Sequence, residues 1–305
     1  MKILLLGANG QVGRELRRSL VSLGDLIAFD RNAADLENLS RLRTTVRDMA
    51  PTIIVNAAAY TMVDKAESEI GRAHRINAEA VQVLAEEARR LGAWLARYST
   101  DYVFDGTKSG AYTEADETNP LNVYGRTKLQ GEESIRATEG CRHIIFRTSW
   151  VFSSRGSNFI KTILRLATER DELKVVSDQI GAPTSAELIA DVSALVMRHI
   201  QGNANPADQV GGTYHVVPRG ETTWRRYAEF VLALAADYGD RFKVMSKRVV
   251  PITTAEYPTP AKRPLNSRLD TGKLMTTFGL ALPPWEAHVS RAVVEILEGR
   301  FCRTT

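Results

Sequence analysis

Tyr124 and Lys128 stand four residues apart in Tyr124-Gly125-Arg126-Thr127-Lys128, a spacing that puts both side chains on one face of a helix. A phenol with a pKa near ~10 is a poor acid–base group at neutral pH, but an adjacent ammonium stabilises its anion and draws that pKa toward the working range. The run Tyr98-Ser99-Thr100-Asp101-Tyr102-Val103-Phe104-Asp105-Gly106 closes an apolar stretch and leaves the Thr100 hydroxyl at a strand end. Thr100 can hydrogen-bond a carbonyl oxygen, Tyr124 can protonate it, and a hydride reaching the carbon would complete a reduction as charge on the oxygen is neutralised.

A hydride donor has a place to sit. Gly7-Ala8-Asn9-Gly10-Gln11-Val12-Gly13 lies between the first apolar run and the first helical pattern. There Gly7, Gly10 and Gly13 permit a tight turn and let the backbone approach a pyrophosphate at a helix N-terminus. About 20 residues on, Asp30 can bond the adenine ribose hydroxyls, an argument for NADH, and Arg31 can pair with a 2′-phosphate, an argument for NADPH. Either cofactor is expected to be accepted. Asn56-Ala57-Ala58-Ala59-Tyr60 offers small side chains over which a nicotinamide nucleotide could lie.

These groups need strands and helices to hold them. Lys2 to Leu6, Leu26 to Phe29, Thr52 to Asn56, Trp94 to Thr100 and His143 to Thr148 read as buried parallel strands. Between them Val12, Leu16, Leu20 and Leu23 form one helical face ended by Gly24, and Leu39, Leu42, Val46 and Met49 form another before Pro51. A longer helix runs from Ile76 to Leu91 and closes at Gly92. Alternation of this kind predicts an α/β fold, a Rossmann-like doubly wound parallel sheet with its ligand crevice at the carboxyl ends of the strands. The dinucleotide-binding domain is expected over residues 1–150. A smaller α+β substrate-binding lobe is expected over 151–305, with helices at Asn158 to Arg170, Ser185 to Ile200 and Thr223 to Tyr238, and with parts of 175–216 packing back onto the first domain.

The 305 residues can bury a core without disulfides. Forty basic and 36 acidic residues are interspersed and leave +4, which points to a mixed-charge surface and away from nucleic acid. Cys141 and Cys302 are far apart and fit free thiols in a reducing compartment. The N-terminal apolar run is too short for a signal peptide or a membrane span, so a cytoplasmic location is expected. Five histidines without metal-ligand spacing argue against zinc. Arg97, a charge inside an apolar strand, is either a strand-edge residue or one that reaches ligand phosphates.

Taken together these residues resemble the extended short-chain dehydrogenase/reductase family, in particular its branch acting on dTDP-activated sugars. The resemblance also covers Val63-Asp64-Lys65-Ala66-Glu67, Leu121-Asn122-Val123-Tyr124-Gly125, Arg147-Thr148-Ser149-Trp150-Val151, Ser177-Asp178-Gln179-Ile180-Gly181-Ala182-Pro183-Thr184 and Arg263-Pro264-Leu265-Asn266-Ser267. It implies NADPH- or NADH-dependent reduction at sugar C4, converting dTDP-4-dehydro-β-L-rhamnose to dTDP-L-rhamnose, in a cytoplasmic homodimer serving lipopolysaccharide O-antigen synthesis. By resemblance Gly10, Gln11 and Val12 meet the pyrophosphate, Asp30 the adenosine, and Ala59, Tyr60 and Thr61 the cofactor. Tyr98, Tyr124 and Lys128 surround the nicotinamide ribose, and Thr100, Asp101 and Trp150 contact the sugar. Glu15, Glu187 and Glu295 occupy the positions of an interfacial Mg²⁺ site found in some members.

Related dehydratases follow the strand-end Thr-Asp with Glu; here Tyr102 stands there, removing the usual base for C5 deprotonation and favouring a reductase. Two other readings are a regulatory subunit that keeps the fold and a different nucleotide-sugar reductase or epimerase. Arg263 and Asn266 are candidates either to grip the diphosphate or to anchor the second lobe.

Overall fold

The computed structural model describes residues 1–202, 210–246 and 248–301; Cys302 lies outside them. Six parallel strands form the central sheet: β1 (Lys2–Leu6), β2 (Asp25–Phe29), β3 (Ile53–Asn56), β4 (Trp94–Thr100), β5 (Arg142–Thr148) and, joining late, β10 (Gly212–His215). Their order is β10-β5-β4-β3-β1-β2. β4 is therefore central, and Thr100 pairs with Thr148 at the carboxyl ends of β4 and β5.

Helices cover both faces because both faces are apolar. On one side α1 (Gln11–Leu20) turns Leu16 and Leu20 onto Ile3, Leu5 and Val55. The chain returns to this side in α8 (Ala186–Gly202), which packs along α1 and ties Ser19 to the Ala190 carbonyl. The short α10 (Gly272–Phe278) adds Leu274 to the same cluster. On the other side α2 (Leu39–Met49) and α5 (Ala80–Leu91) bury Leu42, Val46, Leu84 and Ala88 on Leu4, Leu6 and Ile54. The helix expected from Ile76 begins differently. After α3 (Val63–Ala66) and α4 (Ile70–His74) the chain makes a π-turn over Arg75–Glu79 before α5, which ends at Gly92 in the left-handed region, φ 62°.

α6 (Val123–Ala137) carries Tyr124 and Lys128. Its first turn is capped twice: the Asn122 side chain accepts from the Gly125 N–H at 2.8 Å, and Glu67 accepts from the Val123 N–H at 2.7 Å. The Val63-to-Glu67 segment thus sets where Tyr124 begins.

A third apolar cluster contains only residues 152–297: α7 (Phe159–Ala167), α9 (Trp224–Ala236) and α11 (Trp285–Phe301) pack around Ile160, Tyr227 and Val289. Leu173 and Val175 of β7 (Glu172–Val176) belong to it, and the two-residue β8 (Ile180–Gly181) follows. Short strands attach this cluster to the sheet region, β6 (Val151–Phe152) pairing with β9 (Thr184–Ser185).

Candidate active site

A cleft of about 800 Å³ runs along the carboxyl ends of β1, β2, β3 and β4, from Gly10 and Asp30 at one end to Thr100, Tyr124 and Trp150 at the other. Gly7 adopts φ 80°, and a Cβ there would sit 2.6 Å from the Ala58 nitrogen. One at Gly13 would lie 2.0 Å from the Gly7 carbonyl oxygen, so this turn closes only with glycine. α1 has Gly10 as its N-cap and no side chain bonded to its first N–H groups, leaving them open to an anion.

The acid at the end of β2 is held in place: Asp30 accepts from the Asn32 and Ala33 N–H groups, and Asn9 Nδ2 donates to it at 3.0 Å. Arg31 lines the same end but is engaged by Glu37, whose carboxylate also takes Arg72. Ala59, Tyr60 and Thr61 line the middle, where the buried Asn77 side chain accepts from the Tyr60 N–H and donates to the Tyr60 carbonyl. Only the fold reveals this role of Asn77. The glycine cradle, the open helix end, the anchored acid and the small-residue floor fit a nicotinamide dinucleotide along the cleft.

At the inner end Tyr124 lies within hydrogen-bonding reach of Thr100, and Lys128 Nζ donates to the Tyr98 carbonyl at 2.5 Å. Tyr98 contributes this carbonyl; its hydroxyl points away, 2.8 Å from Ser193 on α8. Thr100 donates to Asp101 Oδ1 at 3.1 Å, and Asp101 Oδ2 and Thr148 Oγ1 are buried without partners. Burial raises the Asp101 carboxyl to about 6 despite bonds from Ser267 and Thr100.

The electrostatics differ from the expectation drawn from spacing. Burial pushes the Tyr124 phenol up to about 12, opposed by the Thr100 bond and by Arg97 and reinforced by Asp101. Lys128 is itself held well below its ordinary value by burial and by Arg97, against Glu132. Burial outweighs Arg97 and the Thr100 bond, and the phenol stays protonated at neutral pH.

Trp150 has φ 47°, a rare conformation for so large a residue. Its ring stacks on Trp224 with centroids 3.7 Å apart and covers Gly181, where a Cβ would come within 2.7 Å of it. Trp224 Nε1 in turn donates to Gln179 at 3.0 Å, so the Ser177-to-Thr184 segment shapes the seat of Trp150. Trp224 belongs to no motif visible in the sequence.

Arg263 and Asn266 are anchors. Arg263 pairs with Asp64 at 2.8 Å, and Asn266 donates to the Lys108 and Gly110 carbonyls. Two of the three expected metal-binding acids are engaged within the chain: Glu15 pairs with Arg18, and Glu187 pairs with Arg291 and His288, while Glu295 lines a separate cleft with Gln11 and Arg14. Among the described residues no three acidic, His or Cys side chains converge to hold a metal within the chain. Arg97 is neither a strand-edge residue nor a cleft residue: it sits on the central strand with its guanidinium buried.

A dinucleotide cleft on a doubly wound sheet, ending at a tyrosine, a lysine and a strand-end threonine, defines a protein of the short-chain dehydrogenase/reductase class. The chain belongs to the dTDP-4-dehydrorhamnose reductase family: the family model described as the RmlD substrate binding domain matches residues 1–298. It is 50% identical over 301 residues to the dTDP-4-dehydrorhamnose reductase of Escherichia coli (strain K12), across 97% of this chain and 98% of that one. A dTDP-4-dehydrorhamnose reductase structure from Clostridium acetobutylicum superposes with a TM-score of 0.87 at 35% identity, covering 98% and 100% of the two chains. The Bacillus anthracis enzyme, solved in complex with NADP, gives 0.85 at 34% identity, covering 97% and 100%.

Proposed function

We propose that this protein reduces the C4 keto group of dTDP-4-dehydro-β-L-rhamnose with NADPH or NADH to give dTDP-L-rhamnose. The observation that carries this reading is the meeting of Thr100, Tyr124 and Lys128 at the inner end of the dinucleotide cleft. Bound reduced nicotinamide supplies the hydride that reaches the sugar C4. Thr100 hydrogen-bonds the keto oxygen, and Tyr124, protonated at neutral pH, gives its proton to that oxygen, so a C–H and an O–H bond form together and no oxyanion persists. Lys128, fixed by the Tyr98 carbonyl, orients the nicotinamide ribose, and solvent then reprotonates the phenolate. Gly7, Gly10, Gln11, Val12 and Gly13 hold the pyrophosphate by backbone approach. Asp30 meets the adenosine, with Arg31 beside it at the edge of the cleft, and Ala59, Tyr60 and Thr61 floor the cofactor site. Asp101 and Trp150 contact the sugar.

The T-shaped contact between Tyr102 and Tyr124, centroids 5.6 Å apart, supports reduction over dehydration: an aromatic ring stands where elimination would need a carboxylate base. We place the enzyme in the cytoplasm as a homodimer acting on a free nucleotide sugar, without nucleic acid or membrane as partner, and its product in O-antigen supply.

The test mixes the protein with dTDP-4-dehydro-6-deoxyglucose, a C3,C5-epimerase and NADPH, beside Tyr124→Phe. Oxidation of NADPH that needs every component and drops at least ~10²-fold in the variant is expected. NADPH binding without oxidation would sink the reading.

A further inference from the structure

Arg97 is a cation that the chain buries at a cost and that the mechanism above leaves unused. It is 1% exposed on β4, the central strand. Its Nη2 donates to the Asn77 carbonyl at 2.7 Å and its Nη1 has no partner. Among the described residues no carboxylate forms an ion pair with it. Glu132, the carboxylate that acts on it through space, is committed to Arg147 through bonds of 3.0 and 2.7 Å, to Ser99 and to Arg136.

The site is nevertheless built around this guanidinium. Tyr124, Lys128 and Gly131 follow one another at i, i+4 and i+7 on the same face of α6. At Gly131 a Cβ would fall 2.0 Å from Arg97 Nη1 and 2.1 Å from the Asn77 oxygen, so a glycine is what lets the helix lie on the guanidinium. The π-turn at Arg75–Glu79 carries the carbonyl that receives it. An uncompensated charge enclosed on three sides beneath the proton-transfer residues is a poor way to stabilise a resting protein.

We propose that Arg97 is a positioning residue of the reaction, a second cation that from beneath α6 stabilises the anion left on Tyr124 when its proton moves to the substrate. This rests on the reductase reading given above. Lys128 does not carry the task alone, because its ammonium is turned to the Tyr98 carbonyl. The charged groups acting on Tyr124 and Lys128 are Arg97 and Asp101 from β4 and its end and Glu132 from α6, with the Tyr102 phenol at the cleft side; Arg136 and Arg147 act on Glu132 in turn. Arg97 acts on both in one direction, favouring phenolate on Tyr124 and loss of the proton from Lys128.

The experiment compares wild type, Arg97→Met, Arg97→Gln and Arg97→Lys. Difference absorbance between each protein and its Tyr124→Phe counterpart, followed upward in pH without cofactor or substrate, reads the Tyr124 phenolate. Removing the charge should delay its appearance by ~1 pH unit, while Arg97→Lys tracks wild type. In turnover the uncharged variants should lose ~10- to 100-fold in kcat at unchanged NADPH affinity, with most of the loss restored in Arg97→Lys. Arg97→Gln serves if Arg97→Met does not fold. Coincident phenolate titrations, or a lysine variant as impaired as the uncharged ones, would overturn the proposal. A wild type that turns over no sugar would instead overturn the reductase reading, and the phenolate titration would still judge Arg97.

Discussion

Two buried glutamates flank the same sheet and are treated differently. Glu87 on α5, 1% exposed, receives Arg43, Arg47 and Arg90 at 2.7–2.9 Å, and each arginine keeps a third to a half of its side chain in water. Glu132 on α6, wholly buried, receives Arg136, 40% exposed, and Arg147, 2% exposed, and has Arg97 and Lys128 enclosed beside it without a carboxylate of their own. In the first cluster the cations stay hydrated and the carboxylate is saturated, so charge joins two helices at little cost. In the second Arg97 and Arg147 are cut off from water, and one guanidinium nitrogen on each has no partner. A satisfied cluster holds structure; one with unspent positive charge is suited to stabilising an anion that exists only during reaction.

The largest effect that tests this contrast is on Glu132. Glu132→Ala leaves Arg147 buried without its counter-ion and should lose about 3–5 kcal/mol in urea unfolding. Next comes Asp101, whose carboxyl is raised from 3.8 to about 6 by burial. An acid with a raised folded pKa adds most to stability below its unfolded value and progressively less as pH rises to the folded value. Asp101→Asn should therefore match wild type near pH 4, be about 3 kcal/mol more stable above pH 7, and lose activity. Unfolding curves at the two pH values decide it, and an equal change at both would mean that the carboxylate is not strained.

The smallest effect is on Glu87, because its arginines can turn into water once it is gone: Glu87→Gln should cost about 1–2 kcal/mol. Glu87 is held down at about 2, so its contribution is present above ~4.5 and is lost as pH falls toward 2. The variant's stability should accordingly be flatter across that acid range. A loss as large as that for Glu132→Ala would show that exposure of the partner arginines does not separate the two clusters.

Much of the site is legible in the order and types of its residues. The glycine turn has to follow β1, because Gly7 and Gly13 tolerate approaches that no Cβ survives. The i, i+4 spacing puts Tyr124 and Lys128 on one face, and the end of β4 locates Thr100. Helix ends differ by only a few residues, as with Phe159–Ala167 against the expected Asn158 to Arg170. What stays hidden depends on partners distant in sequence. Arg31 reads as free for a 2′-phosphate until Glu37 folds beside it, and Arg263 and Asn266 read equally as ligand contacts or as lobe anchors until Asp64 and the 108–110 backbone take them. Trp150 and Trp224 are 74 positions apart, and neither announces the other.

The sequence by itself therefore determined the order of strands and helices along the chain, the glycine turn after β1 and the placing of Tyr124 and Lys128 on one helix face, since these follow from local backbone freedom and side-chain periodicity. Only the tertiary structure decided the charge state of that pair and the place of Arg97. Those depend on how much water is removed and which charges remain, quantities that exist only after β4, α6 and the π-turn have closed on one another.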